Sequence, residues 1–321
     1  MNTLRYKFLL ALILLFCAIS GLVWSPYYPI FQVLWKIGLL PASGSALLDR
    51  GIPPEYQGQL QLFVLIGQSN MSGRGQIERL PAWYPTVFEF GNDYRWRIAT
   101  EPIDSTINQV DQVSMEEERA GFSPALSFAR TIQYEAKPDA LIGLIPCAKG
   151  NTTIEEWQRS LNDETLYGSC LKRINAATHM GQVTGVLIFQ GESDALDPQR
   201  YAEKLPSANA YATKFSKFVN DLRNDLSQPT LPVVFAKIGR TTTPDIFPNW
   251  DIVQSQQEMI QLRCAAMITT DDLLLRDFVH FTTASYKIIG QRFATAYLDL
   301  LKQHPDCARF GVRVSSSQGL N

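Results

Sequence analysis

The residues best suited to chemistry in this sequence are a histidine, an aspartate and two serines. A serine hydroxyl becomes a nucleophile when a base removes its proton, and that base is usually histidine. The chain has three histidines. His179 and His304 lie near predicted helix ends, where a structural role is sufficient. His280 follows Asp277 by three residues in a predicted loop, a spacing that lets the carboxylate orient and stabilise the imidazole. The sequence therefore predicts His280 as a general base.

Two serines compete for the role of nucleophile. Ser69 follows an apolar run and lies in the sequence Gly-Gln-Ser-Asn-Met. Ser193 lies in Gly-Glu-Ser-Asp-Ala, which resembles the G-x-S-x-G elbow of hydrolases except for its last residue. That elbow must lead directly into a helix, whereas Pro198 follows Ser193 closely. The residues thus favour Ser69 and leave Ser193 as the alternative.

The chemistry-bearing residues follow short apolar runs that are typical of buried strands. These runs are 62–66, 141–145, 186–189, 233–238 and 265–269. Helical patterns separate several of them, which predicts a mostly parallel sheet covered on both faces. Ligands bind at the carboxyl ends of strands in such sheets. The fold therefore gathers residues from distant parts of the chain into one site.

Two of the helical patterns are well defined. One begins after Ser207, a predicted cap, and the other begins after Thr282 or Thr283. Their apolar positions recur at helical spacing. They are Tyr211, Phe215, Phe218, Val219 and Leu222 in the first helix, and Tyr286, Ile289, Phe293, Tyr297 and Leu301 in the second.

Four segments resemble the blocks of the sialate O-acetylesterase-like family. They are residues 67–71 (GQSNM), 146–157 (PCAKGNTTIEEW), 190–195 (QGESDA) and 277–282 (DFVHFT). This family belongs to the SGNH hydrolases and includes acetylxylan esterases of carbohydrate esterase family six. The resemblance spans residues 62–301. It implies an α/β fold, a three-layer α/β/α sandwich with a flavodoxin-like parallel sheet. It also implies acetyl-ester substrates on sugars, Ser69 as nucleophile, His280 as base and no cofactor.

The resemblance further implies an oxyanion hole. Its donors are the backbone N–H groups of Ser69 and Gly150 and the side-chain amide of Gln190. The second block departs from the family, which usually has two glycines and a Thr-Ser pair there. Asn151 stands in place of a glycine, and asparagine tolerates a positive φ better than most residues.

The acid that supports His280 has two candidates. Asp277 reaches the imidazole through a short loop, and Glu192 is the competitor because the third block carries this glutamate in the active-site region. Substrate contacts are expected from Asn70, Arg74, Trp96, Asn151 and Trp157. The insertion 74–121 also contains Trp83, Tyr84, Arg95 and Arg97. Aromatic rings of this insertion either stack on sugars or pack against the sheet.

The N-terminus has the pattern of an export signal. Arg5 and Lys7 precede an unbroken apolar run at 8–24, which predicts that the rest of the chain lies outside the cytoplasm. The run is either cleaved after Ser20 or kept as a signal anchor. In the anchored form, a second apolar stretch at 30–40 lies in the membrane interface. The aromatic residues that would anchor this region in the interface are Trp24, Tyr27, Tyr28 and Trp35.

Cysteine usage leaves two readings open. Cys17 lies in the apolar run, whereas Cys147, Cys170, Cys264 and Cys307 follow it. Outside the cell the last four can form two disulfides in any of three pairings, and otherwise they are buried thiols. Their spacing matches no zinc motif, so no metal site is expected.

Composition limits the remaining classes of function. The net charge of −2 and the absence of a basic stripe argue against nucleic acid as a partner. A glycosidase would need two paired carboxylates, and Glu192 with Asp277 would leave Ser69 and His280 without a role.

We expect an extracytoplasmic serine esterase that acts on acetylated carbohydrate and contacts a membrane through its N-terminal segment. The alternatives are a lipid or thioester hydrolase of the same fold and an inactive, membrane-held sugar-binding protein. The predicted organisation is a signal anchor or signal peptide with its juxtamembrane segment at 1–44, an esterase domain at 45–310 and a polar tail at 311–321.

Overall fold

The computed structural model describes residues 51–77, 82–115 and 120–307. The predicted membrane segment, Cys17 and the polar tail lie outside these ranges. Within them, no helix combines the length and the apolar character that crossing a bilayer requires.

A seven-stranded sheet forms the centre of the domain. Its strands are β1 (Leu60–Gly67), β2 (Val87–Phe90), β3 (Trp96–Ile98), β4 (Ile142–Ala148), β5 (Gly181–Phe189), β6 (Val233–Ala236) and β7 (Ala265–Ile268). The order is β3-β2-β4-β1-β5-β6-β7, and all neighbours except β2 and β3 are parallel. Without β2 and β3, the strands follow the 2-1-3-4-5 order of flavodoxin-like sheets. The predicted fold is confirmed.

Strand β1 shows why the predicted strands are apolar at successive positions. Leu62 and Val64 belong to the core on one face of the sheet, whereas Phe63 and Leu65 belong to the core on the other. Because successive side chains of a strand point to opposite faces, a sheet covered on both sides requires continuous apolar runs. Each of the five predicted runs overlaps a strand, although three of them extend one or two residues beyond it, at 141, 237–238 and 269. The sequence did not predict β2 or β3.

Helices cover both faces of the sheet. They are α1 (Ser69–Ser72), α2 (Ala125–Glu135), α3 (Leu166–Ala177), α4 (Tyr211–Asp225), α5 (Trp250–Glu258) and α6 (Thr283–Gln303). Helices α2 and α6 pack on one face, and α3, α4 and α5 pack on the other. Short 3-10 turns join these elements at Pro54–Tyr56, Gln112–Ser114, Thr178–Met180, Glu192–Ala195, Ala202–Lys204, Ala208–Ala210 and Pro305–Cys307.

The two helices predicted from the sequence are α4 and α6. All ten of their predicted apolar residues are buried. Thr282 caps α6, because its hydroxyl oxygen accepts a hydrogen bond from the backbone N–H of Ser285 at 3.2 Å. Ser207 does not cap α4 directly, since a 3-10 turn at Ala208–Ala210 precedes that helix and the Ser207 hydroxyl donates to the carbonyl oxygen of Leu205.

Two disulfides resolve the choice left open by the cysteines. Cys147 at the end of β4 is joined to Cys170 of α3, and Cys264 is joined to Cys307. The second pair lies close to Asp306, in a group with the spacing of a metal site. Its sulfurs are already bonded to each other, so neither is available as the thiolate that zinc binds.

The insertion between β1 and α2 extends the sheet. Its strand β2 pairs with β4, and β3 then pairs with β2 as an antiparallel edge. Trp96 of β3 packs against Phe90 with ring centroids 5.1 Å apart, and Tyr84 lies 5.1 Å from the guanidinium of Arg130. The rings of Trp96 and Tyr84 therefore pack on the domain, which is the second of the two alternatives stated for them.

A buried arginine of α3 anchors this insertion. Arg173 is 1% exposed and donates hydrogen bonds to the side chain of Asn92, the carbonyl oxygen of Pro146 and the carboxylate of Asp111, the last at 3.1 Å. The hydroxyl of Tyr94 also donates to Asp111, at 2.6 Å. One cation thus satisfies acceptors from β4 and from the insertion.

We expect Arg173→Leu to lower the free energy of unfolding by about 3 kcal/mol, because it leaves the buried Asp111 carboxylate without its main cation. The measurement is guanidinium unfolding of the full chain in detergent, followed by tryptophan fluorescence. Arg159→Leu is the control, since Arg159 pairs with Asp225 at the surface, where ion pairs contribute little. Equal losses in the two variants would contradict the anchoring role.

Candidate active site

Ser69 lies in a tight turn directly after β1. Gly67 has φ 147°, and a Cβ atom there would lie 2.0 Å from the carbonyl oxygen of Phe189 on β5. Only glycine accepts both this conformation and this close approach. The turn leads into α1, and Ser69 is its first residue. Ser69 thereby stands at the carboxyl edge of the sheet, between β4 and β5.

The loop before α6 brings a carboxylate and an imidazole to Ser69. Oδ1 of Asp277 accepts hydrogen bonds from the backbone N–H groups of Val279 and His280, at 3.1 and 2.9 Å. Oδ2 of Asp277 lies 2.9 Å from Nδ1 of His280. Nε2 of His280 lies 2.8 Å from Oγ of Ser69. The structure therefore brings the three predicted residues into a continuous chain of hydrogen bonds.

Electrostatics favour the ionised form of Asp277. Burial alone would raise the pKa of this carboxyl, but the backbone N–H groups of His280 and Val279 and the imidazole outweigh burial and lower it. An ionised carboxylate can only accept a hydrogen bond. It therefore favours the tautomer of His280 with the proton on Nδ1, which leaves Nε2 able to accept the proton of Ser69.

Ser193 has no comparable arrangement. It lies in the 3-10 turn Glu192–Ala195 and does not begin a longer helix, as the sequence indicated. Its backbone N–H points at the side-chain oxygen of Gln68 at 3.5 Å, and the serine that is hydrogen-bonded to His280 is Ser69. The geometry supports Ser69 as the nucleophile.

Glu192 does not hold the imidazole. Its Oε1 accepts a hydrogen bond from Nδ2 of Asn70 at 2.5 Å, and the side chain is buried in the wall of the cleft beside Ser69. Burial raises the pKa of this carboxyl to about 7, although the bond from Asn70 acts in the opposite direction. The carboxylate bonded to His280 is that of Asp277.

Asn70 tethers the serine turn to its surroundings. Its Nδ2 also donates to the carbonyl oxygen of Val279 at 3.2 Å, and its Oδ1 accepts from the hydroxyl of Tyr286 at 2.6 Å. The side chain is 1% exposed. The predicted contact of Asn70 with substrate stays a prediction, and the structure gives Asn70 a different role, since its amide is bonded to three protein segments next to the site.

The side-chain amide of Gln190 is bonded to the loops after β4 and β5. Its Nε2 donates to the carbonyl oxygen of Thr152 at 3.1 Å and to Oδ2 of Asp194 at 2.7 Å. Both amide hydrogens thus have protein acceptors, and the side chain is not part of the cleft wall. The role of Gln190 as an oxyanion donor stays a prediction, and this arrangement of its amide does not add support to it.

Asp194 is the residue that the sequence reading missed in this block. Its carboxylate accepts from the amide of Gln190 and from the backbone N–H groups of Ile154 and Ser207, at 2.8 and 3.1 Å. Burial raises the pKa of Asp194 to about 7 despite these bonds. A buried acid of this kind binds the loops after β4 and β5 together. The sequence feature that could have identified Asp194 is its place in the QGESDA block at 190–195.

The loop after β4 completes the edge of the site. The backbone N–H of Lys149 donates to the carbonyl oxygen of Gly67 at 3.0 Å, which carries Gly150 and Asn151 to the cleft beside Ser69. Asn151 has φ 58°, which is the left-handed conformation that asparagine tolerates in place of a glycine. The turn therefore keeps its shape without a second glycine.

The residues of the site surround a cleft of about 530 Å³. Arg74 and Asn151 line it, in agreement with the predicted substrate contacts. Trp96 and Trp157 do not. Trp157 is 1% exposed, donates from Nε1 to the hydroxyl of Thr152 at 3.1 Å and packs on Phe218. These two tryptophans were predicted as substrate contacts, but both instead pack on the domain.

Part of the cleft lining is apolar, and most of its residues were not predicted from the sequence. Its residues are Leu196, Tyr201, Ile246, Phe247, Phe278 and Val279. Phe278 is 43% exposed although it is a large aromatic residue. The remaining two histidines have the structural positions predicted for them, since Nδ1 of His179 lies 2.7 Å from the carbonyl oxygen of Ala176 and His304 ends α6.

A family model and a sequence relative match most of the domain. The model described as carbohydrate esterase, sialic acid-specific acetylesterase, matches residues 59–299. A protein of Arabidopsis thaliana described as a probable carbohydrate esterase is 30% identical over 278 residues. The match covers 81% of this chain and 96% of that protein.

Solved structures share the fold. The crystal structure of the same Arabidopsis protein has a TM-score of 0.63 and 29% identity, and the match covers 75% of this chain and 98% of that one. NanS has a TM-score of 0.59 and 16% identity, with coverage of 77% and 99%. A carbohydrate acetylesterase from Xanthomonas citri has a TM-score of 0.57 and 16% identity, with coverage of 76% and 57%.

We expect Asp277→Asn to lower kcat for an acetyl ester by about 10³-fold or more, because the amide does not stabilise the imidazolium and favours the wrong tautomer. Glu192→Gln should cost only about 10-fold to 100-fold, since the oxygen that accepts from Asn70 is retained. The measurement is kcat of both purified variants on one aryl acetate, after circular dichroism has shown that each is folded. A larger loss for Glu192→Gln would transfer the supporting role to Glu192.

Proposed function

Because the chain belongs to the carbohydrate esterase family of sialic acid-specific acetylesterases, and is therefore a carboxylic ester hydrolase, we propose that it removes O-acetyl groups from carbohydrates through an acetyl-enzyme intermediate. The observation that carries the proposal is the chain of hydrogen bonds from Asp277 through His280 to Ser69. In this proposal Ser69 is the nucleophile, His280 is the general base and acid, and Asp277 is the supporting acid.

The proposed reaction begins with attack by Ser69. The Oγ–H bond breaks as Oγ bonds to the acetyl carbon, and the proton passes to Nε2 of His280. The protonated imidazole is stabilised by the Asp277 carboxylate and then gives its proton to the departing sugar oxygen. Water attacks the acetyl-enzyme in the second half of the cycle, again losing its proton to His280. Acetate leaves and Ser69 recovers its proton.

The negative charge of the tetrahedral intermediate needs donors that are already in place. Two backbone N–H groups are proposed, those of Ser69 and Gly150. Their support is positional, since the turn after β1 and the loop after β4 present both residues to the same cleft. With Gln190 bonded elsewhere, the proposed hole consists of main-chain groups.

The cleft supports a sugar ester more than a lipid ester. Its lining combines hydroxyl, amide and charged groups from Ser193, Asn151, Lys204 and Glu203 with an apolar wall on one side. Pyranose rings have an apolar face and polar edges, so they match a lining of this kind, whereas an acyl chain would leave the polar groups without partners.

We expect the full chain, purified in detergent, to release acetate from O-acetylated saccharides and from aryl acetates. Ser69→Ala should abolish the release because it removes the nucleophile, and Ser193→Ala is the matched control that should keep most of it. A fluorophosphonate probe followed by peptide mass spectrometry locates the reactive serine. Labelling at Ser193 would disprove the assignment of the nucleophile, and preferential cleavage of long-chain acyl or thioesters would favour a lipid or thioester hydrolase.

We also propose that a membrane holds the protein with its esterase domain on the extracytoplasmic side. Arg5 and Lys7 ahead of the apolar run at 8–24 support this orientation. The disulfides Cys147–Cys170 and Cys264–Cys307 support it independently, because structural disulfides are typical of oxidising compartments.

The orientation predicts that protease added to intact cells or spheroplasts degrades the esterase domain. The full chain should also sediment with membranes after lysis. A cytosolic protein of known location, measured in the same samples, shows whether the cells stayed intact. Protection of the domain until lysis would refute the proposed orientation.

A further inference from the structure

A second cavity adjoins the cleft that contains Ser69. It measures about 320 Å³, and the ring of Phe247 lines both spaces. Polar groups of Arg240, Thr241, Asp251 and Asp271 line this outer cavity. The reaction described above does not use any of these residues.

A pair of aromatic rings links the linings of the two spaces. Phe278 and Phe247 are stacked, with ring centroids 6.4 Å apart and an angle of 18° between their planes. Phe278 is partly exposed in the cleft, and its ring centroid lies 5.8 Å from that of His280. An apolar platform therefore begins beside the imidazole and continues toward the outer cavity.

The direction of the proposed reaction gives this platform a role. His280 must give its proton to the departing sugar oxygen, so the leaving sugar has to lie on the histidine side of the cleft. Phe278 lies beside His280, with ring centroids 5.8 Å apart. A sugar that packs its apolar face on Phe278 would direct the rest of a saccharide chain over Phe247 and into the outer cavity.

The outer cavity is built from groups that are already fixed in place. Nε1 of Trp250 and Nε2 of Gln254 donate to the carbonyl oxygen of Gly239, at 2.8 and 2.7 Å. Gln254 also donates to Asp271 at 2.9 Å, and Asp271 pairs with Lys237 at 3.2 Å. A wall fixed in this way costs little ordering entropy when a ligand binds.

The loop that follows β6 and lines the outer cavity is hydrogen-bonded to the loop that contains Asp277 and His280. The backbone N–H of Thr242 donates to the carbonyl oxygen of Phe278 at 3.0 Å. The outer cavity therefore keeps a fixed relation to His280.

We propose that the outer cavity is a subsite for a second sugar unit, so that the preferred substrate is an acetylated oligosaccharide. This inference rests on the proposed function. The hydroxyl groups of a sugar can pair with a guanidinium, a carboxylate and a threonine hydroxyl. A fatty acyl chain in the same position would desolvate these groups without replacing their hydrogen bonds.

The experiment compares O-acetylated monosaccharides with O-acetylated trisaccharides of the same sugar. Xylose, mannose and glucose series are used, so that the comparison does not depend on one sugar. For the wild-type full chain, kcat/KM on the best trisaccharide should exceed that on its monosaccharide by about tenfold or more, since remote binding energy is used in the transition state. Equal values in all three series, with acetate still released from the monosaccharides, would overturn the subsite and leave the proposed function intact.

Three variants test the location. Arg240→Ala and Asp251→Ala, at exposed positions of the outer cavity, should each lower the ratio of trisaccharide to monosaccharide kcat/KM severalfold, mainly through KM. Asp245→Ala is the control, because Asp245 is exposed in the same loop and does not line the cavity. Thermal unfolding confirms that each variant is folded.

The subsite is overturned if Arg240→Ala and Asp251→Ala both keep the wild-type ratio, or if Asp245→Ala lowers it equally. Absence of acetate release from every saccharide would instead refute the proposed function, and the subsite with it.

Discussion

The site depends on how Asp277 divides its two carboxylate oxygens. One oxygen accepts two backbone N–H groups of its own loop, and the other accepts from His280. The first set of bonds fixes the loop, and the remaining oxygen then orients the imidazole toward Ser69. Because the loop bonds also favour the ionised carboxylate, a single short segment supplies both the geometry and the charge that a histidine base requires.

Other contacts keep that segment in register with the serine turn. Asn70 binds the backbone of the histidine loop, the buried Glu192 and the hydroxyl of Tyr286 on α6. Asp194 likewise connects two loops, because its carboxylate accepts hydrogen bonds from the loop after β4 and from the loop after β5. These polar side chains are almost fully buried. Their desolvation is balanced by hydrogen bonds to neighbouring loops, so the catalytic edge is held by side chains as well as by the sheet.

Much of this arrangement could be predicted from the sequence. Strands β1, β4, β5, β6 and β7 each contain a continuous apolar run, and α4 and α6 have long periodic faces, so local pattern was sufficient for them. The pairing of Asp277 with His280 is also local. Strands β2 and β3 are short, and each is interrupted by a charged residue, Glu89 in β2 and Arg97 in β3, whereas the equally short β6 and β7 are uninterrupted apolar runs. The positions of Trp157 and Gln190 depend on neighbours distant in sequence, Phe218 for Trp157 and Thr152 for Gln190, and local pattern cannot rank those partners.

The disulfide at the end of β4 has a consequence for motion. Cys147 lies in β4, only three residues before Gly150. Its bond to Cys170 attaches the end of this strand to the middle of α3. Fraying normally starts where strands give way to loops, because few contacts oppose it there. At the end of β4 the disulfide opposes such fraying, because it holds Cys147 on α3. The part of this loop that can open is therefore the part that follows Cys147, and Gly150 lies within three residues of that covalent anchor.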